Sequence, residues 1–193
     1  MAGSSIGGAT KPRSIRWSFN AAGLIVPDEP QTVSDEIWTK TLDVNLTGTM
    51  KVCREALPLL KQQGGAIVNV ASVAAFNSSP RSTSHGASKA AAVLYARSLA
   101  YAYGVDSIRA NAVAPGWVRR PMSEYEMQLA AGKNGTTADI EFEAVEGRIA
   151  LGQVARPPEI AACCLASDEA SFVTGAVLVA DGGGRAPTQN RAV

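Results

Sequence analysis

Four short, mostly apolar runs lie along the chain, separated by longer segments whose apolar residues recur with helical spacing. The runs occupy residues 15–19, 66–71, 108–114 and 176–180. The second and third are almost continuously apolar, as strands covered on both faces are. Strands that alternate with helices predict a parallel sheet with helices on both of its faces, which is an α/β fold.

The segments between the runs predict the helices. The longest covers residues 85–103, and its apolar positions go most of the way round the helix axis. One side can therefore pack on the sheet, and the other side indicates a partner subunit. The remaining helices are predicted at 34–44 with Ser34 as the N-cap, at 47–62 after an interruption at Asn45, at 123–131, at 138–149 and at 159–167.

Polar and turn-forming residues follow three of the predicted strands. Asn20 follows the first strand, Ser72 the second, and Pro115 and Gly116 end the third. Ligands of open α/β sheets bind at the carboxyl ends of the strands. The pattern alone therefore predicts a ligand site where these residues converge.

The segment from Ser72 to Lys89 is the richest in candidate chemistry. A turn-rich loop leads from Ser72 into the long helix, which carries His85, the only histidine of the chain, and Lys89. Positions i and i+4 share one helix face, so a cation at Lys89 can bias the proton affinity of the imidazole.

Composition and charge narrow the class of protein. The 193 residues include 46% hydrophobic and 18% charged residues with a formal net charge of +1, which is typical of a globular chain. No long run of one charge sign and no membrane-length apolar run is present, so we expect neither a nucleic-acid nor a membrane partner. Because Cys53, Cys163 and Cys164 lack metal-ligand spacing, we predict no metal site and a cytoplasmic protein with reduced thiols.

Short motifs in this order and spacing resemble the short-chain dehydrogenase/reductase family over residues 15–184. The motifs are Asn20-Ala21-Ala22-Gly23, Val44-Asn45-Leu46, Ile67 to Ser72, Ser88-Lys89, Asn111 to Val118, Leu165 to Asp168, Val173-Thr174-Gly175 and Asp181-Gly182-Gly183. The resemblance implies a Rossmann-like doubly wound parallel sheet in three αβα layers.

The resemblance also implies hydride transfer between a nicotinamide cofactor, NADP or NAD, and a small carbonyl or secondary alcohol. In the family a tyrosine moves the proton, a lysine lowers the tyrosine pKa and holds the nicotinamide ribose, a serine orients the substrate oxygen, and an asparagine holds a relay water. The matching catalytic positions are Asn45, Ser72, His85 and Lys89, and the matching cofactor positions are Asn20, Gly23, Lys89, Pro115, Gly116, Val118 and Arg120.

The chain departs from the family pattern at His85, which stands at the tyrosine position. Three interpretations follow: His85 transfers the proton itself, the site binds ligand without turnover, or the sequence contains an error at this position. Two features weigh against the first interpretation. Imidazole is shorter than phenol, and the positive charge of Lys89 disfavours the protonated ring.

A second departure lies at the beginning of the chain. The family's fourth strand would begin at Ile15, so we expect the sheet to lack its first three strands and the strand at 15–19 to be an edge. Residues 1–14 are either a flexible leader or a remnant of the family's glycine turn, and 185–193 are expected to be a loose tail. We therefore predict weak cofactor binding or none, because in the family the missing units hold the adenosine half.

Two functional hypotheses follow. The first is an oxidoreductase, for instance in specialised-metabolite biosynthesis. The apolar residues of segment 119–150 either favour an apolar or aromatic ring substrate or belong to the core. The second is a non-catalytic relative that joins a partner through helices 47–62 and 85–103. Those helices are also where a homo-oligomer is expected. A lyase or isomerase on the same scaffold is a third option.

Overall fold

The computed structural model describes residues 14–77, 79–160 and 163–184. Its sheet has the strands β1 (Trp17–Asn20), β2 (Gly65–Val70), β3 (Ile108–Pro115) and β4 (Val177–Ala180). The strands are all parallel and stand in the order β1-β2-β3-β4. The four strands predicted from the sequence are confirmed, whereas nearly all of the predicted leader and the whole predicted tail lie outside the described residues.

Helices connect the strands as the hydrophobic pattern predicts. They are α1 (Asp35–Leu42), α2 (Thr49–Leu60), α3 (Thr83–Tyr103), α4 (Pro121–Asn134), α5 (Ala138–Glu146) and α6 (Cys163–Ala166). Ser34 caps α1, since its Oγ accepts a hydrogen bond from the Ile37 N–H at 3.2 Å. None of the helices in the described ranges has the length and apolarity needed to cross a membrane.

The predicted interruption at Asn45 is confirmed as a break between two α-helices, although the chain stays helical across it. A wider π-helical turn, Asp43–Gly48, joins α1 to α2. Such turns are single insertions in a helix and occur often at functional sites. The Thr49 hydroxyl donates to the Asn45 carbonyl at 3.0 Å, and the Asn45 side chain is turned inward and buried.

Helices cover both faces of the sheet. On one face, α2 and α3 bury the central strands through Cys53, Leu57, Leu60, Leu99 and Ala100, which pack with Ile67, Ile108 and Ala110. On the other face Leu165 of α6 packs with Val68 and Val113. This is the predicted αβα layering, and it leaves the carboxyl ends of the strands free of core packing.

The outer edge of β1 has no strand beside it within the described residues. Trp17 and Phe19 lie on its exposed side, with 60% and 38% of their surface accessible and their rings in edge-to-face contact at 5.8 Å. Phe19 is in register with Val68, so both rings belong to the face that α6 covers only in part.

Candidate active site

A cavity of about 520 Å³ opens at the carboxyl ends of β2 and β3, between the sheet and the helix pair α4 and α5. Five of the predicted site residues line it: Ser72, His85, Gly116, Val118 and Arg120. The convergence predicted from strand ends is therefore present in the fold.

Ser72 lies just beyond the end of β2 and begins a short 3₁₀ turn, Val73–Ala75. Its Oγ accepts a hydrogen bond from the Ala74 N–H at 3.2 Å. A hydroxyl that accepts one such bond keeps its own hydrogen to donate. Ser72 can thus donate to an oxygen atom of a ligand in the cavity.

His85 lies in the first turn of α3 and is only 6% exposed. Its Nδ1 is 3.0 Å from the carbonyl oxygen of Leu24, which can only accept. The ring must therefore carry its hydrogen on Nδ1 when it is neutral, and this assignment leaves the lone pair on Nε2.

Burial is the main cause that lowers the pKa of His85 below its ordinary value. The positive charges of Lys89 and Arg120 lower this pKa further, while the Leu24 hydrogen bond and the Asp28 carboxylate act against the shift. The neutral imidazole is consequently the main form at neutral pH.

Lys89 lies one helical turn after His85 and is 5% exposed. Its ammonium group donates to the carbonyl of Val70 at 2.9 Å, and burial lowers its pKa to about 8. A Cβ atom at Gly23 would lie 3.3 Å from Nζ, so the glycine keeps space open beside the ammonium group. The remaining N–H donors of Lys89 make no hydrogen bond to the described residues.

Asn45 fixes the loop that holds His85. Its Oδ1 accepts from the Leu24 N–H at 2.7 Å, and its Nδ2 donates to the Leu24 carbonyl and to Ser88 Oγ, each at 2.9 Å. Ser88 Oγ in turn donates to the His85 carbonyl at 2.7 Å. The Leu24 carbonyl thus accepts from both Asn45 and His85, which makes Asn45 a positioning residue for the imidazole.

Asp28 is a further positioning residue, and the sequence reasoning missed it. Its buried carboxylate accepts hydrogen bonds from the backbone N–H groups of Thr83 and Ser84, the first two residues of α3. It therefore caps the helix that carries His85 and Lys89. The only signal in the sequence is an acidic residue in a proline-rich loop, because its partners lie more than 50 residues away.

Two predicted cofactor positions have other contacts in the fold. The Asn20 amide donates to Asn69 Oδ1 at 2.8 Å and to Cys53 Sγ at 3.2 Å, so the side chain points into the core and only its backbone can meet a ligand. At Gly116 a Cβ atom would lie 2.7 Å from the Asp181 Cβ, which explains the glycine by close packing against the end of β4.

Helices α4 and α5 with their flanking turns, residues 119–150, form the outer side of the cavity and are called the lid below. Helix α4 brings two charged groups to the cavity, Arg120 and Glu126. Arg120 lies at the N-terminus of α4, and its charge lowers the pKa of both His85 and Lys89. Burial raises the pKa of Glu126 to about 7, against the effect of Arg120. Glu126 was not among the predicted site residues, since one acid in a helical segment gives no signal. No cluster of three potential metal ligands occurs in the described part of the chain.

Comparisons with known proteins agree with this geometry. A family model described as enoyl-(acyl carrier protein) reductase matches residues 10–184. An uncharacterised short-chain type dehydrogenase/reductase of Sinorhizobium fredii is 42% identical over 151 residues, which are 77% of this chain and 26% of that protein. The 3-oxoacyl-[acyl-carrier-protein] reductase FabG of Chlamydia muridarum is 34% identical over 167 residues, 85% of this chain and 63% of that protein.

The fold of the chain is similar to the folds of solved dehydrogenase structures. The ligand-free aldohexose dehydrogenase of Thermoplasma acidophilum superimposes with a TM-score of 0.84 at 29% identity, over 90% of this chain and 70% of that chain. This chain spans 26% and 63% of the two curated relatives described above. Motif order, fold and family model together place the chain in the short-chain dehydrogenase/reductase family.

Proposed function

We propose that the chain is a short-chain oxidoreductase that transfers hydride between a nicotinamide cofactor and a secondary alcohol or carbonyl compound. The observation that carries the proposal is one cavity lined by Ser72 and His85, with Lys89 one helical turn beyond the imidazole. Relatives with this activity in their names support it, such as 3beta-hydroxysteroid dehydrogenase 1 of Eggerthella lenta, 37% identical over 169 residues.

In this proposal His85 takes the place of the family's tyrosine. Its neutral ring presents Nε2 as a base, because Nδ1 donates to the Leu24 carbonyl. Nε2 accepts the proton of a substrate alcohol while Ser72 Oγ donates to the same oxygen, and the carbonyl bond forms as the carbon loses hydride. The bound cofactor supplies the hydride acceptor. Because burial disfavours the protonated ring, the free site presents His85 in the neutral form that can accept a proton.

The described residues fit the nicotinamide end of the cofactor. The ammonium group of Lys89 has donors available for ribose hydroxyls, and Gly23 leaves space beside it. No strand lies beyond β1 in the described part of the chain to hold the adenosine half. NADP and NAD remain the alternative cofactors of this proposal. The free buried thiol of Cys53 supports a cytoplasmic setting.

The test is oxidation of a panel of secondary alcohols with NADP⁺ and NAD⁺ by the parent, His85→Tyr and His85→Phe. We expect parent turnover that stays level with pH above neutrality and is lost in His85→Phe. His85→Tyr should shift the pH profile towards alkaline values, since a phenol titrates near pH ~10. Turnover in His85→Phe equal to that of the parent would exclude the imidazole as the base.

A non-catalytic role as an oligomerisation subunit is the second candidate, and it is favoured by the surfaces of α2 and α3. Val52, Leu94 and Tyr101 expose 50%, 65% and 88% of their surface in the single chain. Apolar side chains at such exposure on two helices are typical of a surface that another subunit covers. Sedimentation analysis of the parent and Leu94→Asp tests this candidate, and a parent that is monomeric at every concentration contradicts it.

A further inference from the structure

Three arginines line the cavity that contains Ser72 and His85. Arg81 lies in the loop before α3, Arg120 at the start of α4, and Arg148 in the turn after α5. Each comes from a different segment, so it is the fold that brings all three to the same cavity. None of the three forms an ion pair with a carboxylate of the described residues.

Arginines outside the cavity are mostly paired. Arg119 directly precedes Arg120, and its guanidinium contacts Glu124 at 2.8 Å and Asp139 at 2.7 Å. Other arginines of the described residues pair with acids on the surface or donate to backbone carbonyls. Arg97 on α3 is the exception outside the cavity. Four of the six described arginines outside the cavity thus pair with acids, whereas none of the three cavity arginines does.

The acidic side chains of the cavity form no ion pair with these arginines. Glu141 accepts hydrogen bonds from Thr136 and Asn134, and Asp181 accepts one from the backbone two residues further on. The pKa of Glu126 is raised to about 7 by burial, so a large share of this group is neutral near pH 7. The three guanidinium groups therefore keep their donors available to an anionic ligand.

Apolar side chains also line this cavity. They are Trp117, Met122, Met127, Val145 and Ile149. We propose that the cavity takes an anionic substrate, with its alcohol at Ser72 and His85, its apolar body on the lid, and its carboxylate or phosphate at Arg81 and Arg148. The position of the alcohol rests on the proposed function, whereas the anion site does not.

The anion site can be tested without cofactor and without turnover. The probes are cyclohexanecarboxylate, cyclohexyl phosphate and the neutral methyl cyclohexanecarboxylate, and calorimetry or ligand-observed NMR gives their affinities for the full chain. We expect at least one anion to bind about tenfold tighter than the ester and to weaken with added salt. Preference for the carboxylate or for the phosphate identifies which anion the substrate carries.

Variants locate the site. The double variant Arg81→Gln/Arg148→Gln should reduce anion affinity about tenfold and leave ester affinity unchanged. The double lysine variant keeps both charges and should retain most of the affinity. Arg156→Gln removes a charge outside the cavity and should bind as the parent does. Arg120 is left intact, because it is also a predicted cofactor contact.

Several outcomes overturn the proposal. They are equal affinity for ester and anions, an unchanged anion affinity in the double glutamine variant that retains the parent's melting temperature, and no anion binding up to about 10 mM. None of these outcomes depends on catalysis. A chain that binds the anions and oxidises no alcohol would retain the anion site and contradict only the proposed function.

Discussion

The sheet side and the lid side of the candidate site differ in how their polar side chains are held. The sheet side, with the residues behind the cavity surface, is called the sheet-side wall below. On the sheet side, the polar groups of Asn45, His85 and Lys89 are buried, and each donates to a backbone carbonyl. On the lid side, Arg120 and Arg148 are exposed and carry no ion pair to a described carboxylate. The difference indicates that the reacting groups are positioned by the protein itself, whereas the lid is left to complete its contacts with a ligand.

The largest expected effect follows from removing the bonds that hold the sheet-side wall. Asn45→Ala deletes a buried amide that makes three hydrogen bonds. The Leu24 N–H then loses its acceptor, and the Leu24 carbonyl keeps only His85 as a donor. We expect a loss of about 3 kcal/mol in the free energy of unfolding. We also expect turnover, where present, to fall at least about tenfold, since His85 loses its fixed orientation.

The matched control for this variant is Asn134→Ala on the lid. Asn134 donates a single exposed hydrogen bond to Glu141, at 2.9 Å, and its loss should change stability by less than about 0.5 kcal/mol. Denaturant unfolding of both variants measures the contrast. Similar losses at the two positions would show that the two walls do not differ in this way.

The second effect concerns pH and depends on the buried ammonium group. The folded-state pKa of Lys89 is about 8, below the ordinary 10.5, so above pH 8 the folded chain binds fewer protons than the unfolded chain. Stability should then rise with pH, by up to about 1 kcal/mol between pH 8 and 9. Lys89→Met should abolish the rise, and Lys133→Met on the lid should keep it.

The window for that measurement is set by another buried group. Burial raises the pKa of the Cys53 thiol from 9.0 to about 11, and this shift lowers stability as pH increases above 9.0. Burial also raises the pKa of Glu126 to about 7, and this shift lowers stability as pH rises through 7. Unfolding curves are therefore best recorded from pH 8 to pH 9. A parent whose stability stays flat over this range would mean that Lys89 is solvated and that the sheet-side wall is open.

The smallest effect is expected on the lid. Arg119→Gln removes two exposed ion pairs, to Glu124 and Asp139, and a guanidinium that lies 4.5 Å from the centre of the Phe142 ring. Because exposed pairs contribute little and are screened by salt, the melting temperature should fall by less than about 2 °C, and by less still at high salt. A larger fall would show that the stability of α4 and α5 depends on these ion pairs, as the stability of the sheet side is expected to depend on Asn45.

The hydrophobic pattern and the capping residues predicted the strands and helices of the molecule. They did not predict the contacts between distant segments. The strands, the Ser34 cap and the shared helix face of His85 and Lys89 depend on neighbouring positions, so periodicity and capping preferences are enough to find them. The family resemblance supplied Ser72 and Asn45. The strand ends predicted that Ser72 and Gly116 converge, and both line the cavity.

Contacts between distant segments could not be predicted. The Asp28 cap of α3 joins residues more than 50 positions apart, and the π-helical turn at Asn45 depends on the loop that its side chain holds. The gathering of Arg81 and Arg148 likewise exists only after the lid folds over the sheet. Single charged residues in loops give no periodic signal, so their roles follow only from the fold.

The acceptor shared by Asn45 and His85 is a backbone atom, the Leu24 carbonyl. A substitution at position 24 exchanges the side chain and leaves this oxygen in place, so the orientation of the imidazole is protected against most mutations at that position. Even proline would remove only the N–H that Asn45 accepts and would keep the oxygen. Selection on this contact therefore acts through the path of the loop rather than through the identity of the residue that supplies the atom.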